Sequence, residues 1–366
     1  MGVTDAVDVA PQTLRGCTVV EKTLVALQNV SSYKVRIYIV GGHRMRSIVI
    51  ALIGFLTVSA LAASTAPERE PPTNPLWRAP KVKNYLPDMT WPEVEDLLTR
   101  TDMVIIPVGA LEQHGPQGPI GTDFYNGVAQ AELIAQKTDA LVAPILMPGN
   151  SPYHMGFPGT ITLSSETLER VYFEAAQSLI KHGFRRFVFL NAHGGNAATT
   201  RFIVDRLNHE TSATAVDLDQ ANQPFMTEAH LPASLRAELQ KLPNVVGFDH
   251  HAGVSESSQS LYLIPSLIDM KRAPPARPLT LPPHLEAMLP RVDTADRTTT
   301  LIFLSEALKA KDTGKHTSTR EMTSTGVWSE ADPSLASAAR GKAQVDAFVS
   351  ASVQFIDTWK RLEPMR

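Results

Sequence analysis

The residues best equipped for chemistry fall in three short, glycine-rich strings. The first runs Gly109-Ala-Leu-Glu112-Gln-His114-Gly-Pro116 and continues to Gly121-Thr-Asp123, placing two carboxylates and an imidazole close together in the chain. Glu112 and His114 are two positions apart, so an extended backbone sends both side chains to the same side. The intervening glycines and prolines allow Asp123 to turn back to the same pocket. Oxygen and imidazole donors suit zinc, manganese or similar divalent ions, and a set without thiolates argues against a purely structural thiolate site. A solvated turn carrying charges is the plainer alternative for this string taken alone.

The second string, Asn191-Ala-His193-Gly-Gly-Asn196, follows an apolar run and precedes a helical pattern. Its paired glycines let the backbone come close to a ligand or metal, and His193 would project from a strand end. By itself it also reads as a helix cap or a core histidine. The third string is Asp249-His250-His251-Ala-Gly253-Val-Ser-Glu256-Ser-Ser258. A helix beginning near Gly253 turns Glu256 inward in its first turn, where the helix dipole favours a carboxylate, although a solvated first-turn glutamate is equally compatible. Ser151, Ser257 and Ser258 lack a triad partner and read as hydrogen-bonding loop residues. The single cysteine, Cys17, lies far ahead of these strings, so disulfides and thiol catalysis are excluded for the segment that carries them.

The elements that must hold these strings alternate between strand and helix. Thr90-Trp91-Pro92-Glu93 has capping-box spacing and predicts a helix to about Thr99. Met103 to Val108 is an apolar run of buried-strand character, weakened near its end by Pro107. Gly127 to Lys137 reads as helix and Ala140 to Met147 as extended chain. Leu168, Val171, Tyr172, Ala175 and Leu179 mark one face of an amphipathic helix stopped by Gly183. Arg186 to Leu190 and Thr214 to Leu218 are strands, Ala197 to Asn208 a helix, and Ser334 to Arg361 a terminal helical region. This order predicts an α/β domain with a mostly parallel sheet and helices on both faces, where reactive groups gather at the carboxyl ends of strands. The prolines between 273 and 284 mark an irregular surface excursion.

Of the 366 residues, 43% are hydrophobic and 19% charged, with a formal charge of -3. That is a globular balance without the basic field that nucleic acid needs, and it favours a small-molecule partner. Arg44 and Arg46 flank the apolar run Ile48 to Ala60, and Ala60-Leu61-Ala62 is a small-x-small pattern. Residues 45–62 therefore read as a secretory signal, with a retained membrane anchor as the alternative. Met45 becomes a candidate start and 1–44 a leader outside the domain. The expected order is then a linker at 63–89, a catalytic domain at 90–366, and an exported product, periplasmic or secreted, without stable membrane insertion after cleavage.

Together the three strings, with Phe157-Pro158-Gly159-Thr160-Ile161 between them, resemble the creatininase family from roughly Trp91 to Gln354. The resemblance implies a creatininase-like layered fold and hydrolysis of a non-peptide, possibly cyclic, carbon–nitrogen amide-type bond by a hydroxide held between two divalent ions, zinc and/or manganese. It implies that Glu112, Asp123 and His193 hold one ion and His114, Asp123 and Glu256 the other, with Asp123 bridging. His251 matches the family's catalytic histidine and would pass a proton to the departing nitrogen. His154 and Trp328 are candidates for contacting substrate. A homo-oligomer, a hexamer by resemblance, is also implied. Some creatinine-specific members carry a carboxylate two residues past the histidine that matches His193; this chain has Gly195, which puts creatinine itself in doubt and leaves the second ion to Glu256. A deformylase or peptide-processing amidohydrolase fits the same ligands, as does an exported binding protein of the same fold without turnover.

Overall fold

A computed structural model describes the backbone of residues 12–14, 17–28 and 31–40, and residues 81–362 apart from 146–147, 228, 277–278, 293–296 and 308–318. The expected signal at 45–62 and the linker up to residue 80 lie outside the described residues. The chain divides into two units, Met1–Asn74 and Pro75–Arg366. In the first, β1 (Gln12–Leu14), β2 (Cys17–Gln28) and β3 (Ser31–Val40) pair antiparallel in that order. The register runs from Val19 opposite Val40 to Gln28 opposite Ser31. Strands arise where the sequence reading placed no element, and the valine, isoleucine, threonine and tyrosine content of β2 and β3 accounts for them.

The second unit is built on a four-stranded, wholly parallel sheet. β4 (Met103–Val108), β5 (Leu141–Val142), β6 (Arg186–Asn191) and β7 (Thr214–Asp217) lie in the order β5-β4-β6-β7. Every residue of β4 is buried, as expected for a central strand covered on both faces. Alternate residues serve two cores. Val104, Ile106, Val108, Phe187 and Phe189 pack with Leu168, Tyr172 and Ala176 of α3 (Ser165–His182). Met103, Ile105, Val188 and Leu190 pack with Phe124, Val128 and Ile134 of α2 (Thr122–Thr138) and with Val345 and Val349 of the long helix Ala338–Leu362. The expectation of a mostly parallel sheet between helices is therefore met.

Pro107 in this central strand has a local reason. The carbonyl of Ile105 accepts from Ala143, on the side of β5, and backbone groups two residues on face the same way. β5 pairs only with Val104 and Ile105, so the N–H that proline lacks would meet no strand there. The extended stretch expected at 140–147 shrinks to Leu141–Val142 because Pro144 and Pro148 interrupt it.

Helix boundaries follow their caps. α1 (Trp91–Leu98) opens with the expected capping box, Thr90 N–H donating to Glu93 Oε2 at 2.7 Å. α2 starts earlier than its periodicity suggested, which puts Asp123 in its first turn. α4 (Ala197–Glu210) follows β6, and α5 (Val254–Leu263) follows β8 (Asp249–His251), which pairs antiparallel with β9 (Trp328–Ser329). The long carboxyl-terminal helix, α6 (Ala338–Leu362), packs along both α2 and α5. The proline-rich stretch is more than a surface excursion: Leu279 bridges to Thr323, and Leu285 joins a third core with Phe248, Phe303 and Trp328.

Gly183 ends α3 at φ +116°, and a Cβ there would meet only Leu98, at an ordinary 3.7 Å. The cost of a side chain is thus backbone strain alone. Gly183→Ala should destabilise the protein by about 1–2 kcal/mol, the usual penalty for a left-handed L-residue. An unchanged urea midpoint would count against this account of the cap.

Candidate metal centre

Each candidate ligand leaves a strand end or helix start on the same side of the sheet. Glu112 follows β4 and is pinned by its N–H donating to Ile120 O at 2.9 Å, while Leu111 bridges to Ile161. Asp123 arrives on α2, whose start lies against Gly109: a Cβ on Gly109 would fall 2.6 Å from the Cα of Phe124. Only glycine permits that approach. His193 follows β6, and Asn196 beyond it is completely buried, donating to Gly109 O and accepting from Asn150 N–H, both at 2.8 Å. Asn196 therefore ties the loops after β4, β5 and β6 to one another. Asp249 caps α5, accepting from the N–H groups of Val254 at 2.8 Å and Ser255 at 3.0 Å, and so orients Glu256 one turn in. Ala252, between His251 and that helix, sits at φ +53°, held by Gln117 Nε2 donating to its carbonyl at 2.7 Å and by its own N–H donating to Glu256 Oε2 at 2.5 Å.

These placements bring all five candidate ligands together. His193 Nδ1 is 3.2 Å from Glu112 Oε1 and 3.4 Å from Asp123 Oδ2. His114 Nε2 is 3.1 Å from Asp123 Oδ1 and 3.8 Å from Glu256 Oε2. Asp123 thus offers one oxygen to each group, with Glu112 and His193 on one side and His114 and Glu256 on the other. The remaining ring nitrogens have backbone partners: His114 Nδ1 donates to Glu112 O at 3.1 Å and His193 Nε2 to Asn150 O at 3.0 Å. Those bonds occupy one nitrogen of each ring, so the nitrogen facing the carboxylates is the one that holds a proton here and would offer its lone pair to an ion, which is how ligating histidines are usually supported.

The carboxylates have the unmet demand that a cation would answer. Glu112 and Asp123 are 1% and 3% exposed, and Glu112 Oε2 and Asp123 Oδ2 have no hydrogen-bond partner among the described residues. Orphaned buried carboxylate oxygens are costly unless a positive charge sits beside them. The donor set and its burial fit divalent ions: Glu112, Asp123 and His193 could hold one, and His114, Asp123 and Glu256 another.

The charges deform the titration of the whole group. Burial pushes the Glu112 carboxyl up, but the charge and hydrogen bond of His193, the largest of the imidazole contributions around it, oppose that and it is held well below its ordinary value. Asp123 is raised by burial, with the charge of Glu112 adding to the rise and His114 opposing it. Burial drives the imidazoles of His114 and His193 down, yet the carboxylates around them win. Asp123, then Glu256, lift His114 to about 10, and Glu112, then Asp123, lift His193 to about 9.

His251 and His154 form a second tier. His251 Nε2 donates to Gln113 O at 2.7 Å, leaving Nδ1 3.5 Å from Glu112 Oε1 and 3.9 Å from Glu256 Oε2. His154 stacks on His251 with ring centroids 4.2 Å apart, and its Nε2 lies 3.7 Å from Glu112 Oε1. Burial, then the charge of His251, push it down to about 2, so it stays neutral. Sequence reading missed the residue that joins the two. Gln113 donates through Nε2 to His154 Nδ1 at 3.0 Å and Gly326 O at 2.9 Å, and accepts from Gly115 N–H at 2.9 Å. Its position between Glu112 and His114 was the available signal. Trp328 packs into the third core beside Phe248 and Phe303, edge-on to His250 at 5.7 Å; its backbone pairs with His251 while its ring lies in that core.

Gly195 also has a physical cause. A Cβ there would lie 2.1 Å from Tyr153 Oη, 2.2 Å from Asn150 O and 2.5 Å from His193 Nε2. The space a carboxylate side chain would need at this position is taken by Tyr153, another residue that sequence reading did not single out. Burial, then the charges of Glu112 and Asp123, raise the Tyr153 phenol further and keep it protonated.

The raised imidazoles predict how the metal-free protein responds to pH. Their folded values lie above the ordinary 6.5, so their stabilisation is fully present below that pH and is lost as pH rises through about 9 and 10. Glu112, shifted the other way, contributes above its ordinary 4.5 and is constant across this window. Metal-stripped protein should lose melting temperature steadily as alkali is added, and saturating manganese or zinc should flatten that fall because an ion replaces the protons. Parallel melting curves with and without metal would contradict it.

Comparison with known proteins places this constellation. The creatinine amidohydrolase family model matches residues 87–356. Creatinine amidohydrolase from Pseudomonas putida is 32% identical over 212 residues, 55% of this chain and 79% of that enzyme. A mycofactocin precursor peptide peptidase from Mycolicibacterium smegmatis is 39% identical over 114 residues, 30% of this chain and 46% of that protein. Among solved structures, a manganese form of creatininase superposes with a TM-score of 0.54 at 23% identity, covering 77% of this chain and 100% of its own. A Zn-Zn form of a creatininase mutant gives 0.53 at 22%, covering 77% and 99%. The matched span contains every strand of the parallel sheet and all five clustered donors, and the chain belongs to the creatininase family of amidohydrolases.

Proposed function

We propose that the chain hydrolyses a carbon–nitrogen amide-type bond with the help of two divalent ions, zinc and/or manganese. The observation that carries this reading is the split around Asp123, one oxygen toward Glu112 and His193 and the other toward His114 and Glu256. The manganese and Zn-Zn forms of the solved creatininases support the choice of metals. When bound, such ions supply Lewis acidity and lower the pKa of water far enough for attack at neutral pH.

The chain's own residues supply the rest. Glu112 and Asp123 set a negative, dry floor; His114 and His193, fixed by Glu112 O and Asn150 O, keep their lone pairs turned to it. His251 presents Nδ1 to the same space, where it takes up the proton that the attacking water releases and passes it to the leaving nitrogen, its ring held by Gln113 O on one side and stacked on His154 on the other. His154, kept neutral, lines the reacting end of the substrate. Asp123, His193 and Glu256 open onto a cavity of about 1090 Å³, far larger than a single small amide fills. Export through the segment at 45–62 and assembly into a homo-oligomer complete the reading; the first rests on the small-x-small pattern after an apolar run. Among the described residues no helix is long and apolar enough to cross a membrane.

Two variants separate the roles. Asp123→Ala should strip the metal, read by elemental analysis, and lower amide hydrolysis by more than about a hundredfold, since even outer-shell changes cost that much. His251→Ala should keep the metal and reduce kcat by about 10²–10⁴, the usual worth of a general acid. Purified protein that binds no divalent ion and cleaves none of a panel of lactams, ureas and formamides would refute the proposal. A loss of metal in the His251 variant would reassign that residue to coordination.

A further inference from the structure

The two helices that deliver Asp123 and Glu256 continue away from the metal ligands with the same kind of side chain. On α2, Asp123 is followed at helical spacing by Asn126 and Gln130; on α5, Glu256 is followed by Gln259. All five line the 1090 Å³ cavity, joined by Gln344 of α6. Asn126 Nδ2 donates to Ser260 Oγ at 3.0 Å, and Gln130 Nε2 to Gln259 Oε1 at 3.1 Å, so the strip is braced from behind. Two atoms on it are unsatisfied. Asn126 Oδ1, on a side chain of a residue only 6% exposed, and Gln344 Oε1 are shielded from solvent and have no hydrogen-bond partner among the described residues. Turning the Asn126 amide over merely exchanges an unpaired acceptor for an unpaired donor, so one polar atom on this wall lacks a partner in either orientation.

We infer that this strip is a binding subsite for a neutral amide chain, and that the scissile carbon–nitrogen bond sits at the end of a longer molecule whose backbone amides lie along Asn126, Gln259 and Gln344. The inference rests on the amide-hydrolase reading only for which end of the chain reaches the metal ligands. Neutral carboxamides complement groups that both donate and accept without charge, and an unpaired buried acceptor gains most from an incoming N–H. The same cavity is also lined by Leu301, Leu304 and, one turn along α6 from Gln344, Phe348, which suits a ligand bearing apolar side chains as well as amides. From Asp123 to Gln130 the helix rises roughly 10 Å, the length of about three residues of extended peptide. A compact lactam would leave the strip unused.

The test uses metal-reconstituted protein and a length series of N-formylalanine amide, N-formyldialanine amide and N-formyltrialanine amide, with a small lactam alongside. kcat/KM should rise about tenfold or more from the shortest to the longest, chiefly through KM, the worth of one or two well-made hydrogen bonds. Asn126→Leu and Gln344→Met should each shrink that ratio severalfold while keeping the native divalent-ion content by elemental analysis. Calorimetry with N-acetyltrialanine amide reads the subsite without turnover, and its binding should weaken about tenfold in Asn126→Leu. If nothing in the series is cleaved but N-acetyltrialanine amide binds and Asn126→Leu weakens it, the subsite stands and the hydrolase reading fails. A flat length series together with no measurable binding of N-acetyltrialanine amide overturns the subsite. Binding of a cyclic polyol in place of the peptide amides, lost in the same variants, also overturns it by assigning the strip to a sugar-like ligand.

Discussion

Two carboxylates buried without enough protein charge around them form the constraint on which the rest depends. Glu112 and Asp123 are almost wholly inside, and no lysine or arginine is paired with either among the described residues. Their counter-charges are imidazoles, which ordinarily bind protons too weakly to serve as fixed cations at neutral pH. The structure resolves this by raising His114 and His193, and the protons held there stand where a cation would. Burial costs the isolated carboxylates so much that a site of this composition gains from whichever positive charge it can take up.

Backbone register and a few side-chain hydrogen bonds, rather than apolar packing, place those carboxylates. The parallel register of β4 and β6, with Val108 opposite Asn191, ends both strands at one level, so the turns carrying Glu112 and His193 meet. Gly109 lets α2 begin against that level, and Asn196 fastens the neighbouring loops to it. The short β5 leaves the last residues of β4 unpaired on one side, where Pro107 is tolerated and the chain is free to turn away from the sheet. The second half of the site comes from a separate antiparallel pair, β8 and β9, whose irregular register between Asp249 and His251 is part of how His251 is aimed inward.

The donors themselves were legible because their chemistry and their glycine punctuation coincide in the chain. The parallel sheet was legible because β4 and β6 are continuous apolar runs, the pattern of strands covered on both faces. Less legible were features set by tertiary contact. The early start of α2 depends on Gly109 making room, which no helical period records. The strands at 12–40 were passed over as weakly periodic: β2 shows no alternation, although in β3 Tyr33, Val35, Ile37 and Ile39 do alternate with Lys34 and Arg36. Gln113 and Asn196 look like ordinary loop amides until their partners, more than forty residues away, are known. Trp328 offered a large ring in a glycine-flanked stretch, but an aromatic residue satisfies a satellite core as readily as a pocket.

Gly195 couples one candidate ligand to the loop beside it. With no side chain at this position, Tyr153 and the Asn150 carbonyl fill the space, and the nitrogen that His193 turns toward Asn150 is fixed by the same carbonyl. Adding any Cβ at 195 would push on the tyrosine, the loop after β5 and His193 together. Glu256 lies on a different helix and is the most exposed of the five clustered donors, its side chain 31% accessible. Its place in the first turn of α5 sets it beside Gln259 and the wide cavity. The clustered donor Glu256 and the cavity-lining Gln259 are thus carried by one helix, and a shift of α5 moves both.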